Sequence, residues 1–482
     1  MLKRRQVSSF PKADLTKIFC LNNINKRAKA EDLAFARAKG AHPMGVKVVK
    51  FGGSSLADAN QFKKVANIIR ADSDRKYVVP SAPGKRFKED DKVTDLLYKS
   101  FESAGKPEFS EVFGKIRERY SDIVKGLEIE FPLDEELRVI EACIINKAGR
   151  DFAASRGEYL NAKILSVYLG YEFIDAAEVV FFSDDGSLDS EKTNTVLSER
   201  LEGCERAVIP GFYGSMPNDT IKTFSRGGSD ISGAIVARAA QADVYENWTD
   251  VSGFLIADPR IVDNPAPIEL ITYRELRELS YMGATVLHED SIFPVKVAGI
   301  PIEIKNTNAP EDKGTRIVAA CRDTNKNMGS VITGIAGKKG FSVLTLEKDM
   351  MNEEIGFGKR VLEVISKYGL CFEHLPSGID TMGLVLDGEK VLGFEDELIA
   401  DLFAATASDS INIENNISLV AVVGRKMRNA HGTAARVFNA LAKAGINIRL
   451  IDQGSSELNI IIGVDTKDFE EAIRAIYNEF VK

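Results

Sequence analysis

Two glycine-containing segments carry residue types that could bind a polyphosphate. The first is KFGGSS at 50–55, and the second is SRGGSD at 225–230, roughly 175 residues downstream. Paired glycines let backbone N–H groups approach phosphate oxygens without a Cβ in the way, and Lys50 and Arg226 add positive charge. The first segment alone is as typical of a tight turn as of a site. The pair predicts a nucleotide polyphosphate held between two turns.

The elements that must position these segments alternate between strands and helices. Between residues 46 and 320 the apolar pattern predicts buried strands at 46–51, 77–79, 207–209, 244–248 and 302–304, with amphipathic helices between them. This alternation is typical of a mainly parallel sheet covered by helices on both faces, and ligands of such sheets lie at the carboxyl ends of the strands. The first glycine segment follows a predicted strand. The second precedes a helix whose N-terminal N–H groups would face an anion.

After about residue 325 the pattern changes to two small α+β units. Each is predicted to follow the order βαββαβ over roughly 70 residues. The predicted organisation is a basic leader at 1–45, a first domain at 46–320, and two modules at 330–400 and 415–482. The alternative to a tandem pair of modules is two unrelated α+β segments.

Composition excludes several classes of protein. The net charge of −8 argues against nucleic-acid binding by bulk electrostatics, and no apolar run approaches a membrane span of about 20 residues. Five widely spaced cysteines without a CxxC pair favour a reducing compartment, with neither a disulfide framework nor a zinc site. There is no GxxxxGK[ST] segment and no HRD…DFG set, so P-loop and protein-kinase chemistry are not indicated.

The first 45 residues carry ten Lys or Arg against three acidic residues. Such a leader could direct a protein to an organelle, or could be a tail or an over-extended translation start, with Met44 as a natural start. We expect the second case and a cytoplasmic protein.

Several motifs occur in the order found in aspartate kinases. They are KFGGSS, SRGE at 155–158, GFYG at 211–214, SRGGSD, WTD at 248–250 with DPR at 258–260, GATVLH at 283–288 and QGSSE at 453–457. Over 46–482 the chain resembles aspartate kinases with two C-terminal ACT domains. The resemblance implies an α/β amino-acid-kinase fold, a three-layer αβα arrangement with a mainly parallel sheet, followed by two α+β ACT modules. It also implies transfer of the γ-phosphate of ATP to L-aspartate, the first step towards lysine, threonine and methionine.

The resemblance assigns roles to the motif residues. Lys50 is expected to contact the transferring phosphates and Asp230 to organise Lys50 and the reacting centre. Glu158 is expected to bind the substrate ammonium and Arg226 to clamp a carboxylate; otherwise Glu158 is a surface charge and Arg226 pairs with Asp230. The remaining aspartate contacts implied are Ser81, Thr94, Gly227, Gly228 and Ser229. The implied ATP contacts are Lys50, Gly52, Gly53, Ser54, Thr249, Asp250, Leu255, Arg260, Thr285 and Val286.

The chain departs from the family pattern on the nucleotide side. Leu255 stands where many relatives have a tyrosine, and Thr285 stands where they have a lysine. Mg²⁺ is expected to arrive with ATP, without a dedicated protein site. Two alternatives remain. One is a kinase of the same fold for glutamate, acetylglutamate or carbamate, and the other, which Leu255 and Thr285 favour, is an amino-acid sensor with an inactive kinase domain.

The ACT pair implies regulation by an end-product amino acid. Lysine is expected first and threonine second, bound between subunits of a homodimer or larger assembly. The positions implied for this effector site are Met350, Gly356, Phe357, Gly358 and Ser377. The alternative for Met350 and Phe357 is that each is simply a core residue.

Overall fold

The first half of the chain is built around an eight-stranded sheet. The computed structural model describes residues 45–225, 227–284, 287, 289–320 and 331–481. Most of the predicted leader, together with Arg226, Thr285 and Val286, lies outside the described residues. The first ten strands are β1 (Lys47–Phe51), β2 (Arg75–Pro80), β3 (Glu172–Phe173), β4 (Ala207–Val208), β5 (Tyr213–Ser215), β6 (Ile221–Thr223), β7 (Val244–Thr249), β8 (Leu270–Thr272), β9 (Ile302–Asn306) and β10 (Thr315–Val318).

The large sheet has the order β3-β4-β2-β1-β7-β9-β10-β8, and β5 and β6 form a separate hairpin. Every pairing in the large sheet is parallel except that of β9 with β10. The helices of this half are α1 (Ala59–Arg70), α2 (Val93–Ser103), α3 (Glu108–Leu127), α4 (Leu133–Ile145), α5 (Arg150–Leu169), α6 (Ala176–Val179), α7 (Ser190–Glu202), α8 (Gly228–Ala239), α9 (Tyr273–Tyr281) and α10 (Phe293–Ala298).

Strand β1 lies in the middle of three layers, and its side chains are buried on both faces of the sheet. Val49 and Phe51 pack with helices α1 to α5 in one core. Val48 points the other way and packs with α7, α8 and α9 in the second core. Successive side chains of a strand point to opposite faces, so an uninterrupted apolar strand requires cover on both sides. The predicted three-layer α/β fold is confirmed.

The second half of the chain forms one antiparallel sheet. Its strands are β11 (Gly334–Glu347), β12 (Phe372–His374), β13 (Thr381–Asp387), β14 (Ser410–Val423), β15 (Ile448–Asp452) and β16 (Asn459–Asp465), in the order β12-β13-β11-β14-β16-β15. The helices are α11 (Phe357–Lys367), α12 (Gly388–Val391), α13 (Glu395–Thr406), α14 (Thr433–Lys443) and α15 (Phe469–Val481).

Strands β11 and β14 each serve both α+β modules. Residues 341–347 of β11 pair with β13 on one side and with the first part of β14 on the other. This part of β11 therefore belongs to the sheet of the first module. Residues 334–338 of β11 pair with 419–423 of β14, next to β16, and thereby complete the sheet of the second module. Residues 334–338, which form the edge strand of the second module, therefore precede the first module in the sequence. Within the described ranges, no helix is long and apolar enough to cross a membrane.

Candidate active site

Lys50 forms a buried polar cluster with Asp230 and Asn247 at the carboxyl ends of two central strands. Lys50 is the fourth residue of β1, and its register partner on β7 is Asn247. The Lys50 Nζ lies 2.6 Å from the Asp230 Oδ1 in the first turn of α8. The Asn247 Nδ2 donates to the same Asp230 oxygen at 2.8 Å. Because Lys50 and Asn247 are both buried, this arrangement holds one ammonium group in a fixed place.

The glycine segment after β1 packs directly against the loop after β2. The Gly84 N–H donates to the Gly53 carbonyl at 2.8 Å. A Cβ on Gly84 would lie 2.6 Å from the Gly53 carbonyl carbon, and one on Gly53 would lie 3.0 Å from the Ala82 oxygen. Only glycine permits this backbone approach. The two loops therefore form one wall beside Lys50, which includes the predicted contacts Gly52, Gly53 and Ser54.

A buried arginine fixes the loop that follows β2. The Arg119 guanidinium on α3 donates to the Gly84 carbonyl at 2.9 Å and pairs with Asp90. Hydrogen bonds from Arg86, opposed by burial, are the main reason that the pKa of Asp90 lies far below its usual value, and the charge of Arg119 adds to the effect. The loop 82–92 is thus anchored at both its start and its end.

Glu158 lies on α5 and is only 5% exposed. Among the residues that the structure describes, its Oε2 has no hydrogen-bond partner. Burial raises the pKa of Glu158 to about 8, although a hydrogen bond from the Ala82 amide opposes the shift. A buried carboxylate with a vacant acceptor is costly unless a ligand cation completes it. Its geometry therefore suits a substrate ammonium, and Glu158 is not a surface charge.

The remaining predicted aspartate contacts lie around the same wall. The Ser81 N–H donates to the Phe51 carbonyl at 3.0 Å, and the Asn161 amide donates to the Ser81 carbonyl at 2.7 Å. Thr94 is in the first turn of α2 and is partly exposed. Gly227, at φ +66°, is the residue before α8, and Gly228 and Ser229 are its first two residues. Arg226 is outside the described residues, so its pairing stays a prediction.

The predicted nucleotide contacts follow β7. Thr249 ends that strand, and its hydroxyl donates to the Asp250 carboxylate at 3.2 Å. Leu255 and Arg260 line a cavity of about 630 Å³. Arg260 is largely exposed and pairs with Asp258 at 2.6 Å, so its guanidinium has a partner two residues away.

Sequence reasoning missed Asn247 and Asn161. Asn247 lies in a strand that was predicted at 244–248, and it is 4% exposed. A polar residue in an otherwise buried strand was the available signal, because such a group needs a partner. Asn161 is fully buried, and its Oδ1 has no hydrogen-bond partner in the described part of the chain.

The predicted effector positions lie in the first α+β module. Met350 is 62% exposed, and its N–H donates to the Asp380 carboxylate at 2.9 Å. Phe357 is buried in the core of the module. Gly356 precedes α11, Gly358 is its second residue, and Ser377 forms a bridge with Met382.

Two family models match the chain. The amino acid kinase family model matches residues 45–306, and an ACT domain model matches residues 420–480. The first match covers more than half of the chain.

Known aspartate kinases resemble the chain over most of its length. Aspartokinase 3 of Bacillus subtilis is 40% identical over 455 residues, which cover 90% of this chain and 98% of that protein. The crystal structure of Clostridium acetobutylicum aspartate kinase, described as an allosteric enzyme, has 52% identity and a TM-score of 0.83, covering 91% of this chain and 100% of that one. Escherichia coli aspartokinase III, solved with lysine and aspartate, has 25% identity and a TM-score of 0.67, with coverage of 91% and 100%. Together with the site geometry, these matches show that the chain belongs to the aspartate kinases of the amino acid kinase family.

Proposed function

We propose that the chain transfers the γ-phosphate of ATP to the side-chain carboxylate of L-aspartate beside Lys50. The observation that carries this assignment is the buried Lys50–Asp230 ion pair at the carboxyl ends of β1 and β7. A carboxylate oxygen of aspartate forms a bond to the γ-phosphorus, and the bond from that phosphorus to the bridging oxygen breaks, leaving its electron pair on ADP. Because the aspartate carboxylate is already ionised at neutral pH, no general base is required.

The protein's own part is positioning and charge neutralisation, which phosphoryl transfer chiefly needs. Lys50 neutralises charge on the transferring phosphoryl oxygens, while Asp230 and Asn247 hold its ammonium in place. The N-terminus of α8 and the amides of Gly52 and Gly53 offer further N–H donors. Glu158 binds the substrate ammonium, which completes its vacant oxygen, and Arg226 binds a carboxylate of the same molecule.

The donor set fits a Mg²⁺ ion that arrives with the nucleotide. Among the residues described, no cluster of three or more His, Cys, Asp or Glu side chains could enclose a metal ion. Mg²⁺ is commonly bound through substrate phosphates and one or two carboxylates, and Asp230 is the carboxylate at this place. When bound, the ion would neutralise phosphate charge.

Regulation is proposed at the first α+β module, with lysine as the effector and threonine as the second candidate. The structure of E. coli aspartokinase III with lysine supports the choice. Met350, Gly356, Gly358 and Ser377 would surround the ligand, with Phe357 supporting them from the core. Ile355 and Ile379 beside them are 98% and 68% exposed, a large apolar surface that a second copy of the chain would cover. We propose a homodimer or larger assembly, located in the cytoplasm.

The substrate is tested by trapping the acyl phosphate as its hydroxamate. Hydroxamate should form with ATP, Mg²⁺ and L-aspartate, and not with glutamate, acetylglutamate or carbamate. No hydroxamate with aspartate, but clear binding of lysine or threonine, would favour an inactive sensor instead.

The regulatory assignment needs its own measurement. Lysine should lower the rate cooperatively, and Ile355→Asp should both halve the mass in sedimentation and abolish the cooperativity. Val139→Asp, at an exposed position on α4, is the matched control. Full activity with no response to either amino acid would contradict the regulatory proposal.

A further inference from the structure

One loop of the first half is held by the second half of the chain. It comprises residues 254–268, here called the nucleotide loop because it carries Leu255 and Arg260. Its ends are tied together, since the Ile268 N–H donates to the Phe254 carbonyl at 2.8 Å and the Ile256 N–H to the Ala266 carbonyl at 2.9 Å. The loop is therefore a closed unit whose position depends on what packs against it.

Two faces of the nucleotide loop meet different surroundings. Leu255, Asp258 and Arg260 line the cavity of about 630 Å³. Ala257 and Val262, by contrast, are buried in the hydrophobic core of the second α+β module. Hence the loop shares a core with the regulatory half while its other face is available to a ligand.

Three hydrogen bonds join the main chain of the nucleotide loop to the second module. The Ile335 N–H on β11 donates to the Ile256 carbonyl at 2.6 Å. From α15, the Arg474 Nε donates to the Ile261 carbonyl at 2.9 Å, and the Tyr477 hydroxyl accepts from the Ala266 N–H at 2.9 Å. Because these bonds are spread from 256 to 266, they fix the whole loop.

The second module also forms part of the cavity wall. Its Gly337, Phe469 and Ile473 line the cavity, and so do Lys339 and Glu470, which form an ion pair of 3.1 Å. Met282, Gly283 and Ala284, directly after α9, contribute a third side. The cavity is thus lined by both halves, and Val251 and Gly253, which follow the predicted nucleotide contact Asp250 in the sequence, also line it.

We propose that Arg474 and Tyr477 are positioning residues for the nucleotide. They hold the nucleotide loop where Leu255 and Arg260 can contact the nucleoside end of ATP, and the second module supplies one wall of that pocket. This inference rests on the proposed assignment of the cavity to ATP. It makes nucleotide affinity dependent on the packing of the second module, whereas Lys50, Asp230 and Asn247 are held within the first half.

The test compares two loop variants and one control variant in the full-length chain, with Arg474→Lys as a conservative replacement. Arg474→Met removes the donor to Ile261, and Tyr477→Phe removes the acceptor for Ala266. Arg436→Met is the matched control, because Arg436 also packs on α15, where it pairs with Glu479 and stacks on Phe480, without a described contact to the loop. For each variant the KM for ATP, the KM for aspartate and kcat are measured, together with the Kd for ADP by calorimetry.

Each of the two loop variants should raise the KM for ATP and the Kd for ADP about fivefold, as expected for one lost hydrogen bond. The KM for aspartate and kcat at saturating ATP should stay within about twofold of wild type, and Arg436→Met should resemble wild type throughout. Arg474→Lys, which keeps a donor, should recover part of the affinity. A merely structural role would instead lower kcat through a loss of folded protein and leave the KM for ATP and the Kd for ADP unchanged.

The inference would be overturned if all three variants bound ADP as tightly as wild type. It would also be overturned if the control Arg436→Met lost as much affinity for ADP as the loop variants. If Arg474→Met does not fold, Tyr477→Phe decides, since it removes one oxygen only. Failure of the proposed function is distinct, because wild type would then form no aspartyl hydroxamate. That outcome would be seen before any variant is compared.

Discussion

The two ends of the proposed ATP site are built in different ways. At the phosphate end, Lys50, Asn247 and Asp230 come from β1, β7 and α8, and their contacts of 2.6 and 2.8 Å lie within one half of the chain. At the nucleoside end, the ends of the nucleotide loop pack in the first half, but its middle packs against the other half.

The difference suggests that chemistry and affinity respond to different parts of the protein. A change in the second module would reach the nucleotide loop without disturbing Lys50. A regulatory half arranged in this way can alter substrate binding while the catalytic cluster keeps its geometry. Substitutions at each end should therefore affect kcat and nucleotide affinity separately.

The largest effect is expected at the phosphate end. Lys50→Met should lower kcat about a thousandfold, because it removes a preorganised charge at the transferring phosphoryl group, while the Kd for ADP changes little. Lys47→Met is the control, since Lys47 lies at the other end of β1 and pairs with Asp72 at 2.7 Å. Steady-state kinetics measures kcat for both variants, and calorimetry measures the Kd for ADP. If Lys50→Met raised only the KM for ATP and left kcat unchanged, the distinction between the two ends would fail.

The boundary between the halves should show the next largest effect. Glu275 on α9 is fully buried, and its carboxylate accepts from Thr333 at 2.6 Å and from Arg425 of the second module at 3.1 Å. Glu275→Gln should lower the free energy of unfolding by about 3 kcal/mol, because it leaves a charged group of the pair uncompensated. Urea denaturation at pH 7 measures this, with Glu278→Gln as the less buried control.

The same variant has a defined pH dependence. Burial alone would raise the pKa of Glu275, but hydrogen bonds from Thr333, Arg425 and Thr272 bring it below its usual value. A lowered folded-state pKa stabilises the protein above the unfolded value, near 4.3, and this contribution is lost as pH falls through the folded pKa. The difference between wild type and Glu275→Gln should therefore shrink below about pH 4. If the difference in the free energy of unfolding did not change with pH, Glu275 would not be ionised in the folded protein.

A third effect concerns aspartate. Since burial raises the pKa of Glu158 to about 8, most of the free protein carries a neutral Glu158 at pH 7, and aspartate must bind the ionised form. We expect kcat/KM for aspartate to rise from pH 6 with a midpoint near pH 8, and to level off only at about pH 9, where Glu158 is almost fully ionised. Glu158→Gln should lower it roughly a hundredfold at pH 8, the scale of a lost charged hydrogen bond, and should flatten the profile. A rise that persists in Glu158→Gln would assign it to another group.

The smallest effect is expected at Asn247. Asn247→Ala removes the 2.8 Å hydrogen bond to Asp230 and should lower kcat about tenfold, on the scale of one hydrogen bond to a charged group. If Asn247 acts through the Lys50–Asp230 pair, the substitution should have little further effect in a Lys50→Met background. Additive losses in the double variant would show an independent role.

Local patterns were enough to predict the five central strands of the large sheet, but not β3, β8 and β10 or the hairpin of β5 and β6. The five predicted strands are present to within two residues at each end, because apolar runs bounded by polar turns leave few alternatives. The first glycine segment was correctly predicted to follow β1. Such features depend on neighbouring residues, which a single sequence displays directly.

The sequence could not supply the contacts that depend on long-range pairing. Asn247 was visible in a predicted strand, but its partnership with Lys50 and Asp230 depends on β1 and β7 being neighbours in register. Likewise, no local pattern joins Ile261 to Arg474, more than 200 residues away. To predict that one oxygen of Glu158 lacks a partner, it would also have been necessary to know how α5 packs against the loop after β2. Function was recognisable from motif order, whereas the coupling between halves was not.

The long strands β11 and β14 have a consequence for how the chain folds during synthesis. Residues 334–338 emerge from the ribosome before the whole first module, yet their hydrogen-bond partners at 419–423 follow it. The second module cannot close until residues 419–423 and strand β16 have also been made, and the first module is inserted between its parts. We therefore expect the two modules to unfold in one step, and a chain shortened after residue 406 to present an open strand edge that invites aggregation.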